Sequence, residues 1–493
     1  MRKERSVTFN FIMNFILTAS SFIFPLITSP YVFRVLLPVG NGKVAFATAV
    51  ITYFSMVSML GIPTYGIRAC AQVRDDKEKL SRTVQEILII NGIMTVLVYI
   101  AFGISLQVVP QFAEEKALLW VMSATILLNV IGVSWLYSAL EQYAYITAVS
   151  LVFKMVGVIL MFLFVHDIQD YVIYGGITVI SNVGSSVLNF LRLGRYITLK
   201  PVGNYDLKKH WKPIAVFCAM TVATSIYTNL DIVMLRFISG DEQTGYYNAA
   251  VKIKLIVSSL VTSLGAVLLP RLSYYIEKGM KEEFQRMASK ALSFVTMMAL
   301  PMAVYFMMFA RESIRFLSGL AYELAVPSMC IIMPTVVFIG LSNILGMQIL
   351  IPTDQEKKVL YSVITGGIVD LILNLILIPK LGASGAAIGT LAAEFTVVLV
   401  QAVMLWDFLK KIRREYHVLP YILALLPAFV ASALLRELIL DAAGNFLTLA
   451  VTAVVFFGIY GGVLLLLKES IIVEFVLPYV HKILHIGTRN TSV

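Results

Sequence analysis

Charge is what this sequence has least of. Asp, Glu, Lys and Arg make up only 14% of its 493 residues, against roughly 25% in soluble domains. With 59% hydrophobic residues, the composition excludes a string of globular domains and leaves a polytopic membrane protein. Cysteine is almost missing too. Cys70, Cys218 and Cys330 are far apart and form no CxxC pair, which excludes a disulfide framework and a zinc pattern. There is no P-loop, no HExxH and no EF-hand loop, and the lone Gly-Asn-Gly at Gly40–Gly42 lies between two membrane spans. No catalytic residue, metal site or cofactor is therefore expected. His166, His210, His417, His481 and His485 fall at span ends or in loops, which suits solvated or interfacial histidines better than a metal centre. Without a nucleotide motif, whatever this chain moves is driven by an ion gradient or by the cargo's own gradient.

What is present is one apolar run after another. Spans fall near 8–33, 44–66, 86–108, 117–138, 147–166 and 172–191. After a polar break at Arg192–Lys212 they resume near 213–238, 247–270, 291–310, 325–347, 359–378, 386–406, 418–440 and 445–467. Each can cross a ~30 Å hydrocarbon core as a helix, so the expected fold is all-α with fourteen transmembrane helices. The start, Met1-Arg2-Lys3-Glu4-Arg5, mimics a secretory signal but lacks a clear cleavage site, and is read as the lead-in to the first span. That span holds Asn10, Asn14, a pair of small serines, and Pro25 and Pro30, which should bend it.

The formal net charge of +10 is read as topology rather than as a footprint for nucleic acid. Most of the 39 lysines and arginines fall in the segments that share a side with the termini. Only Arg34, Lys43, Lys116, Arg311, Arg315 and Lys380 face the other side. By the positive-inside rule both termini are cytoplasmic.

The chain also repeats. Gly42 to Arg68 and Gly245 to Arg271 span the same interval, each a glycine, a helix containing aromatics and alanines, then a proline and an arginine. The offset of 203 residues implies six helices repeated in parallel.

Function should rest on the charges inside spans, since each is costly unless paired or wetted. Lys154 lies within the fifth span, where it either snorkels or meets an anion. Lys252 and Lys254 enter the eighth span from the outer side and face different directions. Asp231 sits in the seventh at a depth similar to Lys252. Asp231 is thus either half of an Asp231–Lys252 ion pair or a carboxylate that couples transport to an ion. Arg236, a little over one turn on, is the alternative partner of Asp231. A helical hairpin over Thr365–Gln401 carries Asp370 and Asn374 one turn apart on its first arm and Glu394 on its second. Gly385, Ala386, Ala387 and Gly389 open the second arm and let the two backbones approach closely. Its acids either make hydrogen bonds inside the hairpin or titrate. Tyr31, Tyr53, Tyr65, Tyr227, Tyr246 and Tyr247 offer sugar-stacking faces, or form an ordinary interfacial belt.

Three stretches carry a family resemblance. The run from Asn374 to Glu394, NLILIPKLGASGAAIGTLAAE, closely resembles the late-helix signature of bacterial polysaccharide flippases. These are the Wzx-type branch of the multidrug/oligosaccharidyl-lipid/polysaccharide exporter superfamily. Gly245–Ala250 running on to Leu269–Ser273 is similar to that family's eighth helix, and Gly66–Leu80 to the loop after its second. The resemblance implies two six-helix bundles in a V-shaped arrangement plus two C-terminal helices. It divides the chain into an N-terminal bundle (1–191), a cytoplasmic linker (192–212), a C-terminal bundle (213–406), and helices 13 and 14 with a cytoplasmic tail (407–493).

The implied activity is flipping an undecaprenyl-diphosphate-linked oligosaccharide repeat unit to the outer leaflet of the bacterial cytoplasmic (inner) membrane, by ion-coupled alternating access, for O-antigen or capsule synthesis. Lys154, Lys252, Lys254 and Arg236 would meet the diphosphate, and Asp231, Asp370 and Glu394 would couple the ion. The implied partners are the lipid-linked oligosaccharide, membrane lipids, a polysaccharide polymerase and a chain-length regulator, with the chain itself a monomer. Three rivals fit less well. A cation-coupled small-molecule or drug exporter of the superfamily usually keeps an acid in the first helix of a bundle; the first span has none, although Asp231 stands in the seventh. A peptidoglycan lipid II flippase puts several arginines on the cavity face of its first helices, whereas only Arg34 and Arg68 appear here, at span ends. A non-transporting scaffold would have no use for buried acids.

Overall fold

In hydrocarbon a backbone N–H or C=O has no water to bond, so an apolar run that crosses it closes its hydrogen bonds within itself as a helix. The computed structural model follows that rule: among the described residues it is nearly all helix, with no strand. It describes residues 7–412, 416, 418–439, 444–469 and 471–472. Arg2, Lys3, Arg5, Arg413, Arg414, His417, His481, Lys482, His485 and Arg489 lie outside the described residues, as does the side chain of Tyr227.

By packing, the chain divides into two units, Met1–Asn248 and Ala249–Val493. The first holds α1 (Val7–Met59), α2 (Ile62–Ala71), α3 (Lys77–Val108), α4 (Pro110–Glu114), α5 (Lys116–Ile131), α6 (Ser134–Ala139), α7 (Tyr143–Phe164), α8 (Tyr171–Val183) and α9 (Ser185–Arg192), and the start of α10 (Lys208–Glu277). The second continues with α11 (Lys281–Met308), α12 (Ala310–Ser318), α13 (Val326–Ile332), α14 (Thr335–Ser342), α15 (Glu356–Leu381) and α16 (Ala383–Met404). It ends with α17 (Trp406–Ile412), α18 (Leu419–Ile439) and α19 (Asn445–Leu466).

Among the described residues, ten helices are long and apolar enough to cross a membrane, or eleven if Leu320–Ile332 and Thr335–Leu350, bent by 45°, count as one span. The expected fourteen exceed these figures because α1, which runs past a loop, counts once for two expected spans, and α10, which runs past another, is not among them. At 1.5 Å per residue the 53 residues of α1 stretch about 80 Å, more than twice a bilayer core. Each over-long helix holds one non-helical residue, Leu37 in α1 (φ 55°, ψ 179°) and Gly240 in α10 (φ 84°, ψ −176°). These breaks are 203 residues apart, the offset of the sequence repeat. Leu37 precedes Pro38, whose ring disfavours helical dihedrals in the residue before it. Pro25 and Pro30 do not interrupt α1, and helical dihedrals run through both.

In the first unit, one apolar core gathers Leu36, Phe46, Phe102, Leu118 and Ile126. A second, around Ile62, Trp135, Tyr137 and Ile214, packs α2 and α6 against the first turns of α10. In the second unit α15 and α16 form the expected hairpin about Gly382, and Gln401 donates to Ser362 (3.0 Å) across it. The last pair, α18 and α19, is fastened to α11 and α12. Tyr460 donates to the Met297 carbonyl (3.0 Å), Tyr305 to that of Leu449 (2.6 Å), and Arg436 pairs with the buried Glu312 (2.6 Å).

Candidate functional site

The most exceptional side chain in the first unit is Lys154. It sits mid-way along α7 with only 7% of its surface exposed. Its ammonium donates to Ser20 Oγ at 2.7 Å and Ser21 Oγ at 3.0 Å, and lies 5.9 Å from the centre of the Phe24 ring. Both serines turn their own hydroxyl hydrogens back to the Leu17 carbonyl (2.6 and 3.4 Å), which aims their lone pairs at the lysine. Helices α1 and α7 are pinned on either side of this point. Thr147 donates to the Met13 carbonyl (3.0 Å) and Tyr31 to the Val165 carbonyl (2.7 Å). No carboxylate pairs with Lys154 among the described residues. A snorkelling lysine would end in headgroups or water; this one ends on two hydroxyls inside the protein. An ammonium has three donors, and two are engaged.

Asp231 is buried in α10 and accepts a hydrogen bond from the buried Tyr247 hydroxyl. Arg236 is occupied elsewhere. It reaches Glu114 at 2.6 Å, in a well-formed hydrogen bond, and Asp241 at 2.6 Å, where charge and distance suit an ion pair but the N–H is not aligned for a hydrogen bond. Lys154 and Arg236 thus share no partner. Within the second unit Lys254 is buried and Lys252 half-buried. Neither has a hydrogen bond or ion pair there among the described residues.

The hairpin buries its polar residues as a group. Asp370, Asn374 and Glu394 are all buried, and Gly389 packs directly on the first two. A Cβ at Gly389 would fall 2.2 Å from Asn374 Oδ1 and 3.1 Å from Asp370 Oδ1. Of the tyrosines, Tyr246 donates to Glu242 (2.7 Å) and Tyr247 to Asp231, both from buried positions. Arg34 is exposed and donates to the Pro30 carbonyl (2.6 Å); Arg271 is exposed and meets Tyr275 (2.9 Å). Both suit span-end anchors.

Residues 7–276, more than half of the chain, match the family described as polysaccharide biosynthesis protein. The chain belongs to that family. Two curated relatives share the name "Putative O-antigen transporter". The one from Escherichia coli (strain K12) is 25% identical over 388 residues, 78% of this chain and 92% of its own. The one from Shigella dysenteriae is 26% identical over 411 residues, 79% of this chain and 98% of its own. Two solved structures share the fold. One is the lipid II flippase MurJ in an inward closed conformation, with a TM-score of 0.70 and 17% identity over 94% of this chain and 100% of that one. The other is an outward-facing multidrug resistance transporter of the MATE family, with a TM-score of 0.57 and 14% identity over 82% of this chain and 95% of that one. This is a multi-pass membrane protein of the polysaccharide biosynthesis family.

Two polar clusters of this family member escaped sequence reasoning. His210 is not a solvated loop histidine: it is 1% exposed, bonded to Tyr65 (2.5 Å) and to Glu86 (2.8 Å). Glu86 also takes Lys209 (2.7 Å) and the Asp206 N–H (2.8 Å), while neighbouring Gln85 bonds Thr198, Lys200, Val202 and Tyr205. The segment after α9 is thereby laced to α3. The pair Gln85-Glu86 at the head of an apolar run was the available signal. The second cluster is Lys43 with Glu115, 2.6 Å apart, beside the Arg236–Glu114 pair.

Proposed function

We propose that this chain flips an undecaprenyl-diphosphate-linked oligosaccharide repeat unit from the inner to the outer leaflet of the bacterial cytoplasmic membrane, by alternating access coupled to an ion gradient, for cell-surface polysaccharide synthesis. The family and the relatives' names support the process. One observation carries the chemistry: a buried ammonium, Lys154, held by hydroxyls and balanced by no carboxylate among the described residues. Keeping such a charge out of water costs several kcal/mol, and a diphosphate arriving at its third N–H would offset that cost. Lys252 and Lys254 are the next cations for the headgroup. Arg236 would have to exchange Glu114 and Asp241 for phosphate, so it ranks last.

Asp231 is assigned to ion coupling, with Tyr247 fixing its carboxylate, and Asp370 and Glu394 as the second pair of candidates. The fold behind this is fourteen spans, counting α1 and α10 twice each across Leu37 and Gly240. The bundles are 1–191 and 213–406, joined by a cytoplasmic linker at 192–212, with 407–493 following and both termini cytoplasmic. The protein acts as a monomer, without catalytic chemistry of its own, and hands its product to a polymerase and chain-length regulator.

The test is flipping of lipid-linked oligosaccharide by reconstituted protein under a proton or sodium gradient. Lys154→Ala and Lys252→Ala should abolish flipping at near-normal protein levels. Lys154→Arg should recover part of it, since charge rather than point geometry is the larger need. Asp231→Asn should bind the lipid yet lose gradient-driven turnover. Alanine variants that merely fail to accumulate in the membrane would make the lysines structural, and faster flipping of lipid II than of the oligosaccharide lipid would replace the cargo.

A further inference from the structure

The two breaks and the second polar cluster belong to one arrangement within the first unit. Leu37 and Gly240 are related by the repeat offset, and so are Pro38 and Asp241, and Gly42 and Gly245. These last four meet reciprocally. A Cβ on Gly42 would fall 1.9 Å from the Asp241 carbonyl oxygen, and one on Gly245 would fall 2.0 Å from that of Pro38. Each copy of the segment therefore lays its glycine on the carbonyl just past the other copy's break. Asn248 donates to Asn41 Oδ1 (3.1 Å) beside this contact. A cation flanks it from each copy: Lys43 follows Gly42, and Arg236 precedes Gly240. The consecutive carboxylates Glu114, the last residue of α4, and Glu115, between α4 and α5, take one each, Glu114 holding Arg236 and Glu115 holding Lys43, both at 2.6 Å. Glu115 is 3% exposed and Arg236 11%, while their partners Lys43 and Glu114 are 23% and 60% exposed, so each pair joins a shielded charge to a wetter one and the Arg236–Glu114 pair is the more open to salt.

We propose that Glu114 and Glu115 are a latch: each clamps the broken helix of one repeat by that repeat's own cation, so that one loop holds both copies, and the two copies part at the Gly42–Gly245 contact only when one of the ion pairs is released. The inference rests on the transport reading above only in calling this end the outer one and the parting a step of the cycle. Glycine on carbonyl interlocks no side chains, so the ion pairs supply the charged part of the hold, beside the Asn248–Asn41 hydrogen bond and the edge contact of Phe46 with Phe237. The same contact accounts for the first packing unit reaching Asn248, well past the linker expected at 192–212.

The experiment reads the latch without any cargo. Asn41, buried at this contact, is replaced by cysteine in the full chain with Cys70, Cys218 and Cys330 removed, and labelled in intact cells by a membrane-impermeant maleimide. With the latch intact, labelling should be slow. Adding Glu114→Gln and Glu115→Gln should speed it on the order of tenfold, and the exchange Lys43→Glu with Glu115→Lys should return much of the protection that Glu115→Lys alone removes. Equal labelling with and without the two glutamines would overturn the latch. Should the double variant not reach the membrane, a short thiol crosslinker between Asn41→Cys and Asn248→Cys, which ties the two copies directly, replaces it. Formation of the crosslink together with export blocked until the link is cleaved supports the latch, and undiminished export by crosslinked protein overturns it. A wrong cargo would change only the flipping assay and leave the labelling rates as stated.

Discussion

Around Lys154 a buried ammonium faces two serine hydroxyls and a phenyl ring, whereas around Glu114 and Glu115 two half-buried cations each face a carboxylate, one buried and one largely exposed. Both places take charge out of water, which costs several kcal/mol per ion. Only the second recovers much of it by attraction between opposite charges. Within one unit two cations are balanced by carboxylates, whereas Lys154 meets only hydroxyls among the described residues, which is why Lys154 is the cation proposed to meet a headgroup.

The contrast is broken or sharpened by removing charge at each place. The largest effect is expected at Lys154→Met, which keeps the length of the side chain and discards the charge. Flipping should vanish while thermal stability in detergent rises by about 1–3 kcal/mol, since an unbalanced buried charge is replaced by apolar bulk. A less stable Lys154→Met would mean that the hydroxyl contacts are structural and the contrast false. Next comes Glu115→Gln, which strands Lys43 and should lower stability by about 1–3 kcal/mol; Lys43 keeps some contact with solvent, so the loss stays below that of a wholly buried pair. The double change Lys43→Met and Glu115→Met should restore most of it in the same melts. The smallest effect is set by an exposed pair, Arg82 with Glu78 (3.2 Å) on the first turns of α3. Arg82→Ala should move the melt by less than about 0.5 kcal/mol. A loss there as large as at Glu115 would show that burial is not what separates the two classes.

Much of the fold was legible because membrane helices announce themselves locally, as runs of apolar residues of fixed length. The hairpin at 365–401 is the clearest case: its hinge, its small-residue face and the shared burial of Asp370 and Asn374 all lie within one short stretch of sequence. The serine pair in the first span was visible as well, and so was Lys154, but not that they meet, because 133 or more residues separate them. The same holds for His210 and Glu86, 124 residues apart, and for Arg236 and Glu114, 122 apart. Spacing along Arg236's own helix pointed to Asp231 and could not reveal a competitor from another element. The repeat was readable as two matching glycines; that the copies lie on each other was not, since period and composition carry no information about which distant segments touch.

The two breaks are equivalent by position but not in compliance. Leu37 and Gly240 both adopt a positive φ with an extended ψ, a region that is nearly glycine's alone and costs another residue on the order of 1–3 kcal/mol. Gly240 carries no such cost and has open space where a side chain would stand. The same bend is therefore a sprung joint in the first copy, held in shape by its surroundings and by Pro38, and a slack one in the second. Under a common load the slack joint yields first, so two segments built to one plan behave as a fixed jamb and a swinging door.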